Sequence, residues 1–233
     1  FFSWSPDGNN IAFLTAEENP PNYKNDFYPE IPLGPASVWI YNVAQSTSRK
    51  ITREEYPRLL SFTWSPDSKN MIFMALPPRT ENQFRSLSKI FLINADEGEV
   101  KSITNIDSYK GILSFKWIKG KDEVWFLNGD RMGFNIFALN LSNGKIRHIT
   151  TGQDNIRSLT YSGSLVAFTR ENVNMKPDIY ITELSKWEPR KITDINPWVR
   201  EFSHGHGEII TYRSEGWDID ALLIKPPDFD RHK

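Results

Sequence analysis

The sequence contains no cysteine. Disulfides, thiolate nucleophiles and cysteine-held metals are therefore excluded, and a cytoplasmic setting is favoured. No apolar run reaches the length of a membrane-spanning helix, and no signal peptide is visible. Charge of one sign is also missing: 28 Lys and Arg face 29 Asp and Glu, interleaved, for a net charge of −1. There is no basic field for nucleic acid and no acidic tail, so neither nucleic acid nor membrane is expected as a partner. No segment carries a helical period of useful length.

What the chain does have is aromatic side chains and repetition. Eight Trp, eight Tyr and fifteen Phe suit short strands packed face to face. Phe2-Ser-Trp-Ser-Pro-Asp-Gly8 returns nearly unchanged as Phe62-Thr-Trp-Ser-Pro-Asp-Ser68. Segments ending in Ile-Thr recur at Ile51, Ile103, Ile149 and Ile192, spaced by 52, 46 and 43 residues. That period is the length of a four-stranded propeller blade and not of a two-helix solenoid repeat. Each unit starts with an aromatic strand (Phe2–Trp4, Phe62–Trp64, Phe115–Trp117), turns through a Pro-Asp or Lys-Gly-Lys-Asp segment, and continues through three further strands. The expected fold is all-β, a β-propeller of four-stranded antiparallel blades, with four full blades and a partial fifth. The blades fall at about 2–52, 62–104, 115–150, 158–193 and 201–224, and 225–233 begins a linker. The Trp and Phe of each first strand are expected in the core.

Within a blade the chain zigzags, so the connections between second and third strands share a rim with the connectors between blades. That rim holds Thr15–Ser37, Ala75–Ser88, Arg53–Leu60, Asn105–Leu113, Thr151–Arg157 and Asp194–Arg200. The opposite rim holds only tight turns. Variable loops gathered on one rim are where a rigid scaffold places recognition.

The Phe-x-Trp-Ser-Pro-Asp-Gly unit is similar to the repeats of TolB-like propellers and of the propeller domain in the prolyl oligopeptidase family. The tail Ile210-Thr-Tyr-Arg-Ser-Glu-Gly-Trp-Asp-Ile-Asp-Ala-Leu-Leu-Ile-Lys-Pro-Pro227 resembles the exit strands of the peptidase propeller, with Glu215 where that family usually has Asp. The acylaminoacyl-peptidase and dipeptidyl-peptidase branches look nearest. The resemblance implies a non-catalytic propeller that gates and shapes peptide binding for an α/β-hydrolase domain following Lys233. The alternative is a stand-alone TolB-like interaction module. The family's Ser-Asp-His triad is absent here, as is any Gly-x-Ser-x-Gly elbow to present a serine. No catalytic residue, metal or cofactor is assigned. For a peptide substrate, the rim candidates are Glu54, Glu55, Tyr56, Arg58, Arg85 and Arg157.

Several motifs carry two meanings. His204-Gly-His206-Gly207 puts two histidines at i and i+2, on one face of a strand, where they could share a metal. With no third ligand near in sequence, a structural role is expected. Glu54-Glu55 is similar to the Glu pair with which dipeptidyl-peptidase propellers hold a substrate's amino terminus, and carboxylates facing an ammonium make sound chemistry. The neighbouring Arg53, Tyr56 and Pro57 do not match that motif, so a solvated loop is preferred. Asp7 and Asp67 are read as turn-formers, since no Asp-x-Asp-x-Asp spacing surrounds them.

The chain starts at Phe1, without Met and inside a repeat, and is read as a fragment or processed form. End blades of an incomplete propeller expose apolar faces, here Phe2, Trp4 and Ile11 at one end and Phe202, Ile210 and Tyr212 at the other. The expectation is that preceding residues complete the ring, or that the chain forms a homo-oligomer through those faces. A closed five-bladed ring finished by Asp218–Ile224 is the competing arrangement.

Overall fold

The computed structural model describes residues 2–16, 36–52, 58–76, 88–104 and 111–229. These residues are almost wholly β-strand, with one short 3-10 helix, Pro197–Glu201. The chain divides into two compact units: Phe1–Trp125 with Leu139–Ile146, and Phe126–Ala138 with Arg147–Lys233. The boundary falls inside the third repeat.

In the first unit, β1 (Phe2–Trp4), β2 (Asn10–Ala16), β3 (Ala36–Asn42) and β4 (Thr47–Lys50) form one antiparallel sheet in sequence order. β5 (Arg58–Trp64), β6 (Asn70–Leu76), β7 (Lys89–Asn94) and β8 (Val100–Ser102) repeat it. β9 (Ile112–Ile118) opens the third repeat. The Ser-Pro-Asp turns explain themselves. Ser5 and Ser65 hydroxyls donate to Asp7 and Asp67, whose carboxylates also accept the amides of Asn9 and Lys69. The serine hydroxyls above all hold both carboxyls below their ordinary pKa. The two aspartates are thus spent on turn geometry.

The core of this unit lies between its two complete blades, from Ala12, Val38 and Ile40 to Met71, Phe73 and Phe91. Phe73 stacks on Phe91 with centroids 5.1 Å apart. Trp64 is 5 % exposed, and its indole N–H donates to the Ser3 carbonyl of the preceding blade at 3.2 Å. Trp4 holds the same repeat position but is 52 % exposed, and Phe2 is 74 % exposed. The expectation that every first-strand aromatic is core is therefore corrected for these two. The seat of Trp64 is built by the blade before it, and no described blade precedes β1. Ile11 is half-buried.

The third repeat also supplies β10 (Glu123–Asp130), β11 (Gly133–Asn140) and β12 (Ile146–His148). In the second unit, β13 (Asn155–Ser162), β14 (Leu165–Asn172), β15 (Met175–Glu183) and β16 (Arg190–Lys191) pair in order as an antiparallel blade. β13 meets β11 through a parallel step at Phe134 and Asn155. β17 (His206–Ser214) and β18 (Trp217–Lys225) form a separate two-stranded hairpin. Its Trp217 is 72 % exposed, and Ile210, Tyr212 and Ile224 are exposed as well, as is Phe202 before it. The expected strand at Glu201–His204 is absent. Pro197 starts the 3-10 helix there, and β17 begins only at His206.

The recurring Ile-Thr has one job in all four blades. The Ile amide donates to the carbonyl of a third-strand residue: Ile51 to Val38, Ile103 to Ile90, Ile149 to Ile136 and Ile192 to Ile179, at 2.8–3.0 Å. The following Thr hydroxyl accepts that same residue's amide: Thr52 from Val38, Thr104 from Ile90, Thr150 from Ile136 and Thr193 from Ile179, at 2.9–3.1 Å. A side chain thus ends each ladder in place of a backbone carbonyl, leaving no unpaired amide as the chain departs for the next blade.

In the fourth blade the lock is extended. Thr193 donates its hydroxyl proton to Asp178, which also accepts the Ile195 amide and meets Lys191 Nζ at 2.5 Å. Lys191 is the main reason that Asp178 titrates below its ordinary range, and Asp178 the main reason that Lys191 titrates above its own.

Two outcomes follow from this packing. Trp64→Ala should cost about 3–5 kcal/mol, as for large buried aromatics, while Trp4→Ala should cost far less. Denaturant midpoints of the two variants check it; equal losses would refute the assigned seats. Asp178→Asn should lower the melting temperature at neutral pH. The depressed carboxyl stabilises the fold above its unfolded pKa of about 4, and that contribution is lost as pH falls through the folded value. The wild type should therefore lose more melting temperature on acidification than the variant does, which a pH series of thermal melts measures.

Candidate functional site

Of the six rim candidates, Glu54, Glu55, Tyr56 and Arg85 lie outside the described residues, as do 17–35, 77–87 and 105–110 of the rim loops. Arg58 opens β5, where its backbone pairs with Leu76; its side chain is outside the description. Arg157 is described in full. Its Nε donates to Glu171 at 3.2 Å, and its guanidinium lies over the Phe134 ring, 5.8 Å from the centroid. It is half-exposed but already partnered on both sides.

The connector that ends at Arg157 forms one wall of a cleft of about 250 Å³ in the second unit. Strand alternation puts Phe168, Arg170 and Asn172 on one face of β14. Arg170 Nε donates to Asp154 at 2.6 Å and Asn172 Nδ2 donates to the other Asp154 oxygen at 2.7 Å. The Arg170 guanidinium also lies over Tyr180, 5.5 Å from the ring centroid. Below it Phe168 stacks on Trp187, with centroids 5.3 Å apart and planes at 15°. Buried Asn135 fixes the back of the cleft, donating to the Gly152 carbonyl at 3.0 Å and accepting from the Thr150 hydroxyl at 3.0 Å.

This arrangement can stack a flat or apolar group on Trp187 and exchange hydrogen bonds at Arg170 and Asp154. Among the described residues, no serine or threonine hydroxyl is hydrogen-bonded to a histidine. The sequence hid the cleft because Asp154, Arg170 and Trp187 belong to no repeated motif. Only the Ile149-Thr150 signature marks the back wall.

The second described connector, 194–200, is closed by its own charges. Arg200 reaches Asp194 at 2.6 Å, and Lys191 reaches it at 3.5 Å. His204 Nε2 lies 2.9 Å from the carbonyl of Val199, in the middle of the 3-10 helix. With His204 outside any strand, the two histidines do not share a strand face, and the expected i, i+2 alignment is corrected. No group of three or more metal-ligating side chains occurs among the described residues.

The exit hairpin is held by two side-chain clamps. The Asn174 amide donates to the Gly207 carbonyl at 2.7 Å and accepts the Gly207 N–H at 2.8 Å. A Cβ at position 207 would stand 2.2 Å from Val173, so only glycine permits this approach. Arg131, at a left-handed φ of 50°, chelates Asp220 and donates to Thr211 at 2.9 Å. Arg131 is the main cause of the depressed Asp220 pKa, and Thr211 adds to it.

No family model matches the chain. Among curated proteins it is 22% identical over 239 residues to dipeptidyl-peptidase 5 of Porphyromonas gingivalis, covering 100% of the chain and 33% of that relative. The chain thus spans about a third of the length of the curated relative it matches. The crystal structure of puromycin hydrolase superimposes with a TM-score of 0.66 at 14% identity, over 98% of the chain and 34% of that protein. TolB from Acinetobacter baumannii gives 0.58 at 14% identity, over 96% of the chain and 51% of that protein. The structural likenesses establish the fold as a β-propeller of four-stranded antiparallel blades. The curated match runs along the whole of this chain and a third of that relative, and with the repeats it fits a propeller domain of the prolyl oligopeptidase family.

Proposed function

We propose that the chain is the non-catalytic propeller of a serine peptidase of the prolyl oligopeptidase family. It would limit access to short peptides and supply part of the binding rim for an α/β-hydrolase domain that follows Lys233. The observation that carries this is the match to dipeptidyl-peptidase 5 along the entire chain. It also favours the dipeptidyl-peptidase branch of the family. Exclusion by a rigid lid needs no chemistry in the lid, consistent with a rim whose described charged groups pair with one another. Arg157 is the described part of the proposed rim, with Glu54, Glu55, Tyr56, Arg58 and Arg85 as its other members. A cytoplasmic setting belongs to the same proposal and rests on the cysteine-free composition alone.

The second function worth weighing is a stand-alone interaction module, favoured by the likeness to TolB over nearly the whole chain. The two separate experimentally. The product of the complete gene should react with a fluorophosphonate probe and release dipeptides from short peptides. It should be far slower on an unfolded protein carrying the same cleavage sequence. Residues 1–233 alone should neither label nor hydrolyse an acyl ester. A complete product that is inert to the probe would leave the interaction module standing. Equal rates on short and long substrates would remove the gating role.

A further inference from the structure

Two seams between neighbouring blades lie within the first unit, and they differ. At the first, the β7–β8 turn of the second blade touches the Ile-Thr lock of the first. A Cβ on Gly98 would stand 2.8 Å from the Ile51 carbonyl oxygen. Arg49 ties the same seam, donating to the carbonyls of Ala95 and Asp96. At the second seam the equivalent turn has the same internal bonding, with Gly144 N–H on the Asn140 carbonyl as Gly98 N–H is on Asn94. Yet nothing stands within 4 Å of a Cβ built on Gly144. Lys101 replaces Arg49, and Lys145 replaces Glu99. A cavity of about 400 Å³ opens there, lined by Lys89, Ser102, Ile103, Thr104, Gly144 and Ile146. That is the size of a small-molecule site.

Its chemistry is defined by comparing the blades. In the second unit, the residue before the locked amide is an acceptor for the Thr hydroxyl proton: Asn135 for Thr150 and Asp178 for Thr193. In the fourth blade that carboxylate sits between the Thr hydroxyl and a lysine ammonium. In the second blade the corresponding residue is Lys89, which has no acceptor to offer. Buried Thr104 accepts the Ile90 amide, and among the described residues no acceptor takes its own proton. Lys89 pairs with no carboxylate among the described residues. The second blade thus has a lysine where the fourth has the carboxylate, and Ser102 where the fourth has Lys191, so its threonine faces donors only.

We propose that this seam binds a small molecule through a carboxylate or phosphate group. An oxyanion oxygen would enter the cavity that Lys89, Ser102 and Thr104 line, taking hydrogen bonds from the Lys89 ammonium and from the Thr104 and Ser102 hydroxyls. Charge-assisted hydrogen bonds of this kind are the strong ones.

The test titrates the chain with inorganic phosphate and, separately, with N-acetylglycine, at ionic strength held constant with chloride. Affinity is read by calorimetry and location by amide chemical shifts. Either anion should bind and shift the Ile90 and Thr104 amides. Phosphate alone would identify a phosphate-bearing ligand, and N-acetylglycine alone a carboxylate. Lys89→Gln should weaken binding about tenfold or more, whereas Lys176→Gln, on β15 of the second unit, should leave it unchanged. Lys89→Asp, which supplies an internal carboxylate, should abolish it. Binding that survives Lys89→Gln, or shifts confined to amides away from β7 and β8, overturns the proposal. So does absence of binding by both anions. If Lys89→Gln fails to fold by circular dichroism, the amide shifts of the wild-type chain decide alone.

Discussion

Everything in this fold depends on ending a strand without stranding an amide. A propeller chain must leave its outermost strand and cross to the next blade while the third strand still has backbone groups to satisfy. Here a threonine hydroxyl takes the place of the missing carbonyl, four times, on the same atom of the same third-strand residue. The preceding isoleucine supplies the amide for that residue's own carbonyl. Both backbone groups of one residue are closed by two consecutive residues, and the chain is then free to turn away. Valine or isoleucine in place of the threonine would keep the shape and the β-propensity but leave a buried N–H unpaired, a cost of about 1–3 kcal/mol.

The lock also gives each blade a position where variation is tolerated. The residue before the locked amide is Ser37, Lys89, Asn135 or Asp178. Ser37 leaves its hydroxyl buried with no partner among the described residues. Asn135 and Asp178 accept from the threonine and reach further, one to the Gly152 carbonyl and the other to Lys191. A constant structural device thus sits beside a variable chemical one, and the seams between blades differ in polarity without any change in strand pairing.

Much of this was legible in sequence. The Ile-Thr spacing gave the blade period because the lock is local, always joining residues fourteen apart. Ser-Pro-Asp announced its turns because the same atoms bond wherever the tripeptide occurs. What could not be read was anything decided by a neighbour. Trp4 and Trp64 are indistinguishable in their own repeats, and only the Ser3 carbonyl beside one of them makes it core. The histidine pair looked like a strand because earlier repeats have one there, but Pro197 diverts the backbone into a 3-10 turn first. The Asp154–Arg170 cleft joins residues sixteen apart, one on a connector and one on β14, and lies outside every repeated motif.

Among the described residues, the exit hairpin is joined to the rest of its unit by side chains, its two strands pairing with each other. One asparagine amide imitates a strand partner for Gly207, and one arginine holds Asp220 and Thr211. Ladders fail cooperatively, strand by strand, but two isolated clamps can release together without disturbing the blade behind them. The hairpin therefore has the makings of a separate opening unit, whose amides would exchange with solvent through a local event while β14 and β15 stay protected.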